Sequence, residues 1–216
     1  SVGRILDTLE KNNLTDNTLI VLTSDNGGAN YIHLSDINKP YRGWKLTHFE
    51  GGLHVPFMAK WPNKIKPGIE FNAPIHANDI LPTFAAAAGA ELPDDRIIDG
   101  VNLLPFLQNH NSDMPHETLY WLQGRLQTVL HENWKLITDH RTGKDWLFNV
   151  ESDPYERINL ASEMTLKVEE LKRLLNDHKK VQPPPLYDNT MSVPILIDKH
   201  NGYAFQDGDE FTYWDN

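Results

Sequence analysis

The strongest constraint on the fold is a continuous apolar run, residues 18–23, that ends in the polar segment Ser24-Asp25-Asn26-Gly27-Gly28. A run that is apolar at successive positions is typical of a strand covered on both faces, as in a parallel sheet. The residues before it carry the apolar spacing of an amphipathic helix, at Val2, Ile5, Leu6 and Leu9. Helix, buried strand and polar loop in this order predict an α/β protein whose ligand site lies at the carboxyl end of the strand.

Charge and composition exclude several classes of function. The 216 residues include 20 Lys+Arg and 30 Asp+Glu, which gives a formal net charge of −10. Nucleic acids and anionic membranes require a basic surface, so neither is an expected partner. There is no cysteine, and disulfides, thiolate metal sites and cysteine nucleophiles are therefore excluded. No apolar run is long enough to span a membrane.

Three regions differ in their sequence pattern. Residues 1–115 are predicted to form part of an α/β domain, and because the chain opens inside a helix we expect further sequence before Ser1. Residues 116–181 combine short aromatic strands with one amphipathic helix, which predicts a small antiparallel sheet carrying a long helix. Residues 182–216 are a proline-rich spacer and an acidic tail to which the sequence assigns no role.

Two polar segments are candidates for chemistry. Asp25 and Asn26 offer a carboxylate and an amide oxygen side by side, which suits calcium, although a plain turn is the alternative because these residues are common turn formers. Lys45 lies 20 positions further on, before Glu50-Gly51-Gly52. Its ammonium can bind an anion and stabilise a leaving oxygen, or it can be a solvated surface lysine. Glu50 is expected to fix the shape of the loop.

Further motifs follow these segments in order along the chain. The full set is Thr23-Ser24-Asp25-Asn26-Gly27-Gly28, Arg42-Gly43-Trp44-Lys45, Phe49-Glu50-Gly51-Gly52, Val55-Pro56, Trp61-Pro62, Ile65-Lys66-Pro67-Gly68, Asp79-Ile80-Leu81-Pro82-Thr83, Asp99-Gly100-Val101-Asn102-Leu103-Leu104-Pro105, Trp134-Lys135-Leu136-Ile137, Leu147-Phe148-Asn149 and Asp153-Pro154. Together they resemble the C-terminal part of the calcium-dependent, formylglycine-type sulfatases, a branch of the alkaline-phosphatase-like superfamily. The resemblance covers residues 2 to about 180 and is more specific than any one motif.

The resemblance implies a fold, a reaction and roles for individual residues. Asp25 and Asn26 match calcium ligands of the family. Lys45 matches the lysine that binds a sulfate oxygen and stabilises charge on the bridging oxygen. In the family a hydrated formylglycine, made from Cys or Ser, attacks the sulfur and expels the alcohol. The implied fold is a mainly parallel sheet with flanking helices, here the C-terminal portion of the catalytic domain, followed by the small antiparallel sheet with its long helix.

The chain departs from the family pattern at the nucleophile. No Cys/Ser-x-Pro-x-Arg signature is present, and in the nearest match, residues 152–156, Glu156 replaces the required arginine. Two oxygen ligands do not satisfy a calcium ion that takes six to eight. The remaining ligands and the formylglycine are therefore expected upstream of Ser1. We expect the chain to be the C-terminal half of a sulfatase, to require its N-terminal half as a partner, and to be inactive alone.

His48 and His54 follow Lys45 in the same loop and are the candidates for substrate contact among the ten histidines. The acidic, aromatic-rich composition favours a sulfated carbohydrate, polymeric or small, over a nucleotide as substrate. Two alternatives stay open: a phosphoester or phosphonate hydrolase of the same superfamily, and a non-catalytic glycan-binding module. The family resemblance suggests a periplasmic or secreted protein.

Overall fold

The structure is a computed structural model that describes residues 1–108 and 113–215. The chain divides into two compact units: unit 1 comprises Ser1–Thr23 and Pro56–Glu117, and unit 2 comprises Ser24–Val55 and Thr118–Asn216. The three sequence regions 1–115, 116–181 and 182–216 remain a prediction, and their residues 109–112 and 216 lie outside the described residues.

Helices and strands alternate in the first half of the chain, and strands predominate in the second. Within the described residues the helices are α1 (Val2–Lys11), α2 (Glu50–Leu53), α3 (Ile80–Ala88), α4 (Leu104–Leu107) and α5 (Thr165–Val181). The strands are β1 (Ile20–Thr23), β2 (Phe57–Lys60), β3 (Thr118–Gln123), β4 (Leu126–His131), β5 (Trp134–Asp139), β6 (Lys144–Asn149), β7 (Ser192–Leu196) and β8 (Phe211–Asp215). None of these helices is both long and apolar enough to cross a bilayer.

Unit 1 contains the predicted amphipathic helix α1 and the predicted strand β1. The β1 strand pairs with β2 in antiparallel register, with Ile20 opposite Lys60 and Thr23 opposite Phe57. The apolar run had predicted a parallel neighbour and burial on both faces. Instead, no parallel pair occurs in the described part of the chain, and Leu22 is 43% exposed. In the described residues β1 pairs with β2 alone, and its four residues are half-buried or exposed.

Helix α3 starts directly after Asp79 and ends before Gly89. Asp79 is fully buried and accepts backbone N–H groups of His76 at 2.7 Å and Val101 at 2.8 Å. His116 Nε2 lies 2.8 Å from the same carboxylate. Gly89 ends the helix in the left-handed conformation, with φ of 67°, which glycine adopts without steric cost.

Unit 2 is built on the predicted antiparallel meander, in the order β3-β4-β5-β6. Because successive side chains of a strand point to opposite faces, Leu136 packs on the same side as helix α5, while Ile137 packs on the other. The face under α5 buries Val129, Leu136, Leu147, Val168, Leu171 and Leu175. The opposite face buries Phe49, Leu126, Ile137, Trp146, Phe148 and Ile197. The second face thus packs directly against the loop that contains Lys45.

The tail holds a hairpin that sequence reasoning missed. Strands β7 and β8 pair in antiparallel register from Ser192 opposite Asp215 to Leu196 opposite Phe211. Pro194 within β7 and the acidic residues around both strands hid the pattern, because proline and charge reduce the strand signal. Ile197, directly after β7, is fully buried in the same cluster as Phe49. Residues 192–215 therefore pack within unit 2, whereas residues 182–191 are exposed.

Candidate active site

The segment Ser24–Gly28 is a tight polar turn whose glycines permit close backbone packing. Asp25 is exposed, and its Oδ1 accepts the Asn26 backbone N–H at 3.0 Å. The Asn26 amide nitrogen donates to the Gly27 carbonyl at 2.9 Å, so the amide oxygen is the atom that can face a cation. A Cβ on Gly27 would lie 1.7 Å from the Gly51 carbonyl oxygen. Glycine at this position is therefore a steric requirement.

The turn lies directly against the segment that carries Lys45. The Lys45 backbone N–H donates to the Gly28 carbonyl at 3.0 Å, and the Gly27 N–H donates to the Gly52 carbonyl at 3.0 Å. Asn38 bridges the two segments, because it accepts from Gly28 at 2.6 Å and donates to the Gly43 carbonyl at 3.0 Å. The structure therefore brings Asp25, Asn26 and Lys45 onto adjoining backbone segments.

Gly51 and Gly52 give the Lys45 segment its compact shape. A Cβ on Gly51 would lie 2.4 Å from the Gly43 carbonyl oxygen, and one on Gly52 would lie 2.3 Å from that of Thr47. The Thr47 hydroxyl donates to the Trp44 carbonyl at 2.8 Å and closes the turn around Lys45. Backbone contacts at this distance leave no space for a side chain.

A buried ion triad, formed by Lys135, Glu50 and Glu156, holds the Lys45 loop against strand β5. The Lys135 ammonium lies 2.5 Å from Glu50 Oε1 and 2.8 Å from Glu156 Oε1, and its side chain is 1% exposed. Glu156 also accepts the Glu50 backbone N–H at 2.6 Å. The expected shape-fixing role of Glu50 agrees with these contacts. Sequence reasoning missed Lys135 and Glu156; the one signal was a lysine placed inside an otherwise buried strand.

The charges of the triad follow from burial and mutual attraction. Burial alone would lower the pKa of Lys135, but Glu156 and Glu50 outweigh it and raise that pKa. Burial alone would raise the pKa of Glu50, but Lys135 and the His54 hydrogen bond lower it. Burial raises the pKa of Glu156, and the charge of Glu50 adds to this against the attraction of Lys135. Glu156 is thus the carboxyl that first takes up a proton as pH falls.

Arg42 anchors the other side of the loop. Its guanidinium donates to Asp198 through Nε at 2.7 Å and through Nη2 at 2.6 Å, and it also contacts Glu210. Burial opposes the charge, but both carboxylates raise the pKa of Arg42 above its ordinary value. Asp198 and Glu210 come from the tail, so the tail and the Lys45 segment are held by one cation.

His48 is an interior residue, whereas the sequence predicted a substrate contact. The residue is 5% exposed, and its Nδ1 lies 2.9 Å from the Thr128 hydroxyl on β4. Burial, together with the charge of Lys135, lowers the pKa of His48 to about 3. A neutral, covered imidazole of this kind fixes the loop on the sheet. We therefore correct the prediction and leave His48 out of the proposed substrate site.

We expect His48 to make the protein acid-sensitive. Its pKa is about 3 in the folded state against 6.5 for an unperturbed imidazole, so between these values the unfolded state binds the additional proton. Stability should therefore fall as pH falls through this window, by up to about 1.4 kcal/mol per pH unit from this group. In urea titrations, His48→Asn, which retains a hydrogen-bonding group near Thr128, should flatten the pH dependence. Equal slopes for both proteins would contradict this account.

His54 remains a candidate for substrate contact. Its side chain is 52% exposed, and Nδ1 lies 2.8 Å from Glu50 Oε2. The ring stacks on Tyr41 with centroids 4.5 Å apart. Glu50 thus links His54 to the buried triad and fixes the orientation of a ring that solvent reaches.

The donor set fits part of a calcium site. Asp25 supplies a carboxylate and Asn26 an amide oxygen, both hard donors of the type that calcium prefers. Among the described residues no group of three or more histidine, aspartate or glutamate side chains could hold a metal ion. A complete shell of six to eight oxygens therefore needs ligands beyond these two.

Solved structures with a similar fold define the class of protein. The chain superposes on Ps i-CgsB in complex with k-i-k-neocarrahexaose with a TM-score of 0.74 and 30% identity, over 86% of this chain and 42% of that one. It shares its fold with the phosphonate monoester hydrolase of Silicibacter pomeroyi, with a TM-score of 0.64 and 20% identity, over 83% of this chain and 38% of that one. The fold is therefore the predicted α/β, alkaline-phosphatase-like one.

Sequence relatives define the family within this class. The family model described as Sulfatase matches residues 1–90. The steryl-sulfatase of Rattus norvegicus is 39% identical over 161 residues, which is 71% of this chain and 27% of that protein. The chain belongs to the sulfatase family, and the resemblance predicted from its motifs is confirmed. It spans about a quarter of the length of this curated relative.

Proposed function

We propose that the complete protein hydrolyses sulfate esters and that this chain supplies part of its active site. The observation that carries the proposal is the direct backbone contact between the Asp25-Asn26 turn and the Lys45 segment, through the Lys45 N–H and the Gly28 carbonyl at 3.0 Å. This contact brings the two backbone segments together, and it supports a site in which two oxygen donors and an ammonium face one small volume. A sulfate group that binds beside a calcium ion needs oxygen ligands for the ion and a positive charge for its own oxygens.

Each residue has a defined task in the proposed reaction. Lys45 donates to a sulfate oxygen and stabilises negative charge on the bridging oxygen as the ester bond breaks. Asp25 and Asn26 hold calcium, which supplies charge neutralisation at the sulfate when it is bound. His54, oriented by Glu50, contacts the substrate outside the sulfate group. The formylglycine nucleophile is assigned to the part of the protein that precedes this chain.

A sulfated carbohydrate is the substrate class we propose. The solved complex with a neocarrahexaose shows that a relative of the same fold binds a saccharide. The phosphonate alternative rests on a fold likeness at 20% identity, whereas the steryl-sulfatase of Rattus norvegicus is 39% identical over 161 residues. A periplasmic or secreted location follows from the same family resemblance and is part of the proposal.

Calcium removal tests the proposed function. We expect the full-length protein to release sulfate from 4-nitrophenyl sulfate and to lose at least about 100-fold in kcat after treatment with a calcium chelator, because cations that neutralise reacting anions contribute several kcal/mol. Asp25→Ala and Asn26→Ala should also weaken calcium binding measured by calorimetry. Asp16→Ala, which removes an exposed carboxylate in unit 1, is the control. Faster turnover of a phenylphosphonate monoester than of the sulfate ester would contradict the proposal.

A further inference from the structure

The loop between β7 and β8, residues 197–210, is fixed at its base. Asp198 and Glu210 both contact the guanidinium of Arg42. The Ile197 N–H donates to the Glu210 carbonyl at 3.0 Å, so the two ends of the loop pair with each other. Lys199 and Asp209 form a further ion pair at 2.6 Å. A loop held at both ends in this way presents its middle residues in a defined position.

The middle of this loop packs on the segment that follows Asp25 and Asn26. The Asn201 N–H donates to the Asn30 carbonyl at 3.4 Å. The rings of His33 and His200 stack with centroids 5.1 Å apart and an interplanar angle of 18°. Tyr203 adds a third ring, 4.6 Å from that of His200. We call these three rings, His33, His200 and Tyr203, the aromatic cluster.

The aromatic cluster faces solvent and is not part of the hydrophobic core. Tyr203 is 55% exposed, His33 is exposed and His200 is half-buried. His200 Nδ1 accepts the Gly202 N–H at 3.1 Å, so a neutral ring carries its proton on Nε2. Among the described contacts Nε2 has no partner, and it is therefore available as a donor.

The chemistry of the cluster suits a sugar ring. Aromatic rings present flat apolar faces with polar groups at their edges, and a pyranose presents C–H groups on a face and hydroxyls around its rim. The His200 Nε2–H and the Tyr203 hydroxyl can pair with such hydroxyls. A steroid would instead require an enclosed apolar cavity that covers most of its surface. The open, polar-edged cluster therefore favours a saccharide.

The cluster lies within reach of the proposed sulfate site. Asn30, which holds the loop, is four residues after Asn26, and four residues of chain span at most about 14 Å. A short oligosaccharide bridges this distance. All of these residues belong to unit 2, the unit that also contains Asp25, Asn26 and Lys45.

We propose that His200 and Tyr203, stacked with His33, form a subsite for a sugar ring of a sulfated oligosaccharide whose ester lies at Lys45. This inference rests on the proposed function, because it names the part of the substrate that lies outside the sulfate group. It also gives the tail a role: the Arg42 contacts hold the loop where its rings meet the substrate.

The test compares saccharide and aryl substrates in the full-length protein. The measured quantity is a ratio: kcat/KM for k-i-k-neocarrahexaose or a heparin-derived hexasaccharide, divided by kcat/KM for 4-nitrophenyl sulfate. Tyr203→Ala and His200→Ala should each lower this ratio by at least tenfold, mainly because KM for the saccharide rises. Tyr203→Phe, which retains the ring, should recover most of the ratio. Tyr187→Ala, which removes a tyrosine that is 85% exposed in the spacer, is the matched control and should leave the ratio unchanged.

Direct binding of the same saccharides, measured by calorimetry, separates the two proposals. Loss of binding in Tyr203→Ala supports the subsite even if no ester is hydrolysed, in which case only sulfate hydrolysis fails. If kcat/KM falls equally for the saccharide and the aryl sulfate, the ratio is unchanged. That result would overturn the subsite, while the proposed hydrolysis would stand. If the wild-type protein binds neither saccharide, the subsite is also overturned.

Discussion

Replacement of Lys45 by alanine should lower kcat of the full-length protein on 4-nitrophenyl sulfate by about 100- to 1,000-fold. Removal of one preorganised group that stabilises a developing oxyanion typically costs this much. The Lys45 N–H is held by the Gly28 carbonyl at 3.0 Å, so the backbone position of the residue is fixed before substrate binds. The measurement is steady-state turnover with calcium saturating, together with circular dichroism to verify folding.

Lys180→Ala provides the matched control for this prediction. Its ammonium pairs with Asp177 on the exposed face of α5, and the side chain is 73% exposed. We expect turnover within about twofold of wild type, since exposed ion pairs contribute little. A Lys45→Ala variant that turned over as fast as the control would remove Lys45 from the mechanism and leave the Asp25-Asn26 turn without its cationic counterpart.

Replacement of Lys135 by methionine should be the most destabilising single change at the site, by about 3–5 kcal/mol in the free energy of unfolding. The substitution leaves Glu50 and Glu156 as neighbouring carboxylates in the interior, since Lys135 approaches them at 2.5 and 2.8 Å. Removal of one partner from a buried ion group costs far more than removal of the whole group. Denaturant titration of the full-length protein at neutral pH measures the effect.

Two further variants separate lost attraction from uncompensated charge. Lys180→Met, at an exposed ion pair, should change stability by no more than about 0.5 kcal/mol. Combination of Lys135→Met with Glu50→Gln and Glu156→Gln should recover part of the lost stability, because no buried carboxylate then remains. If the single variant were as stable as the Lys180 control, the triad would have no structural role.

Local patterns made a large part of this fold predictable. The amphipathic spacing in residues 2–9 gives α1, the aromatic runs after residue 118 give the four-stranded meander, and the prolines after Gln182 follow the end of α5 at Val181. These features depend on residues close together in sequence, whose periodicity and turn chemistry act without the rest of the chain.

The contacts that complete the site could not be read from spacing. Arg42 meets Asp198 across 156 positions, and Lys135 meets Glu50 across 85. His48 reads as a loop histidine in sequence, yet it is buried against Thr128, 80 positions away. Arginine, lysine, aspartate and glutamate are mostly surface residues, so residue type alone does not predict the buried charge contacts.

The sequence by itself determined the family, the polar turn at Asp25-Asn26 and the lysine that follows it, because motif and glycine placement are local properties. The tertiary structure decided that the turn and the Lys45 segment adjoin, that His48 lies in the interior, and that the tail binds Arg42. The physical reason for the division is that a buried charge is stable only when a partner of opposite charge lies beside it. Packing of segments that are distant in sequence supplies that partner, and the order of residues along the chain does not reveal it.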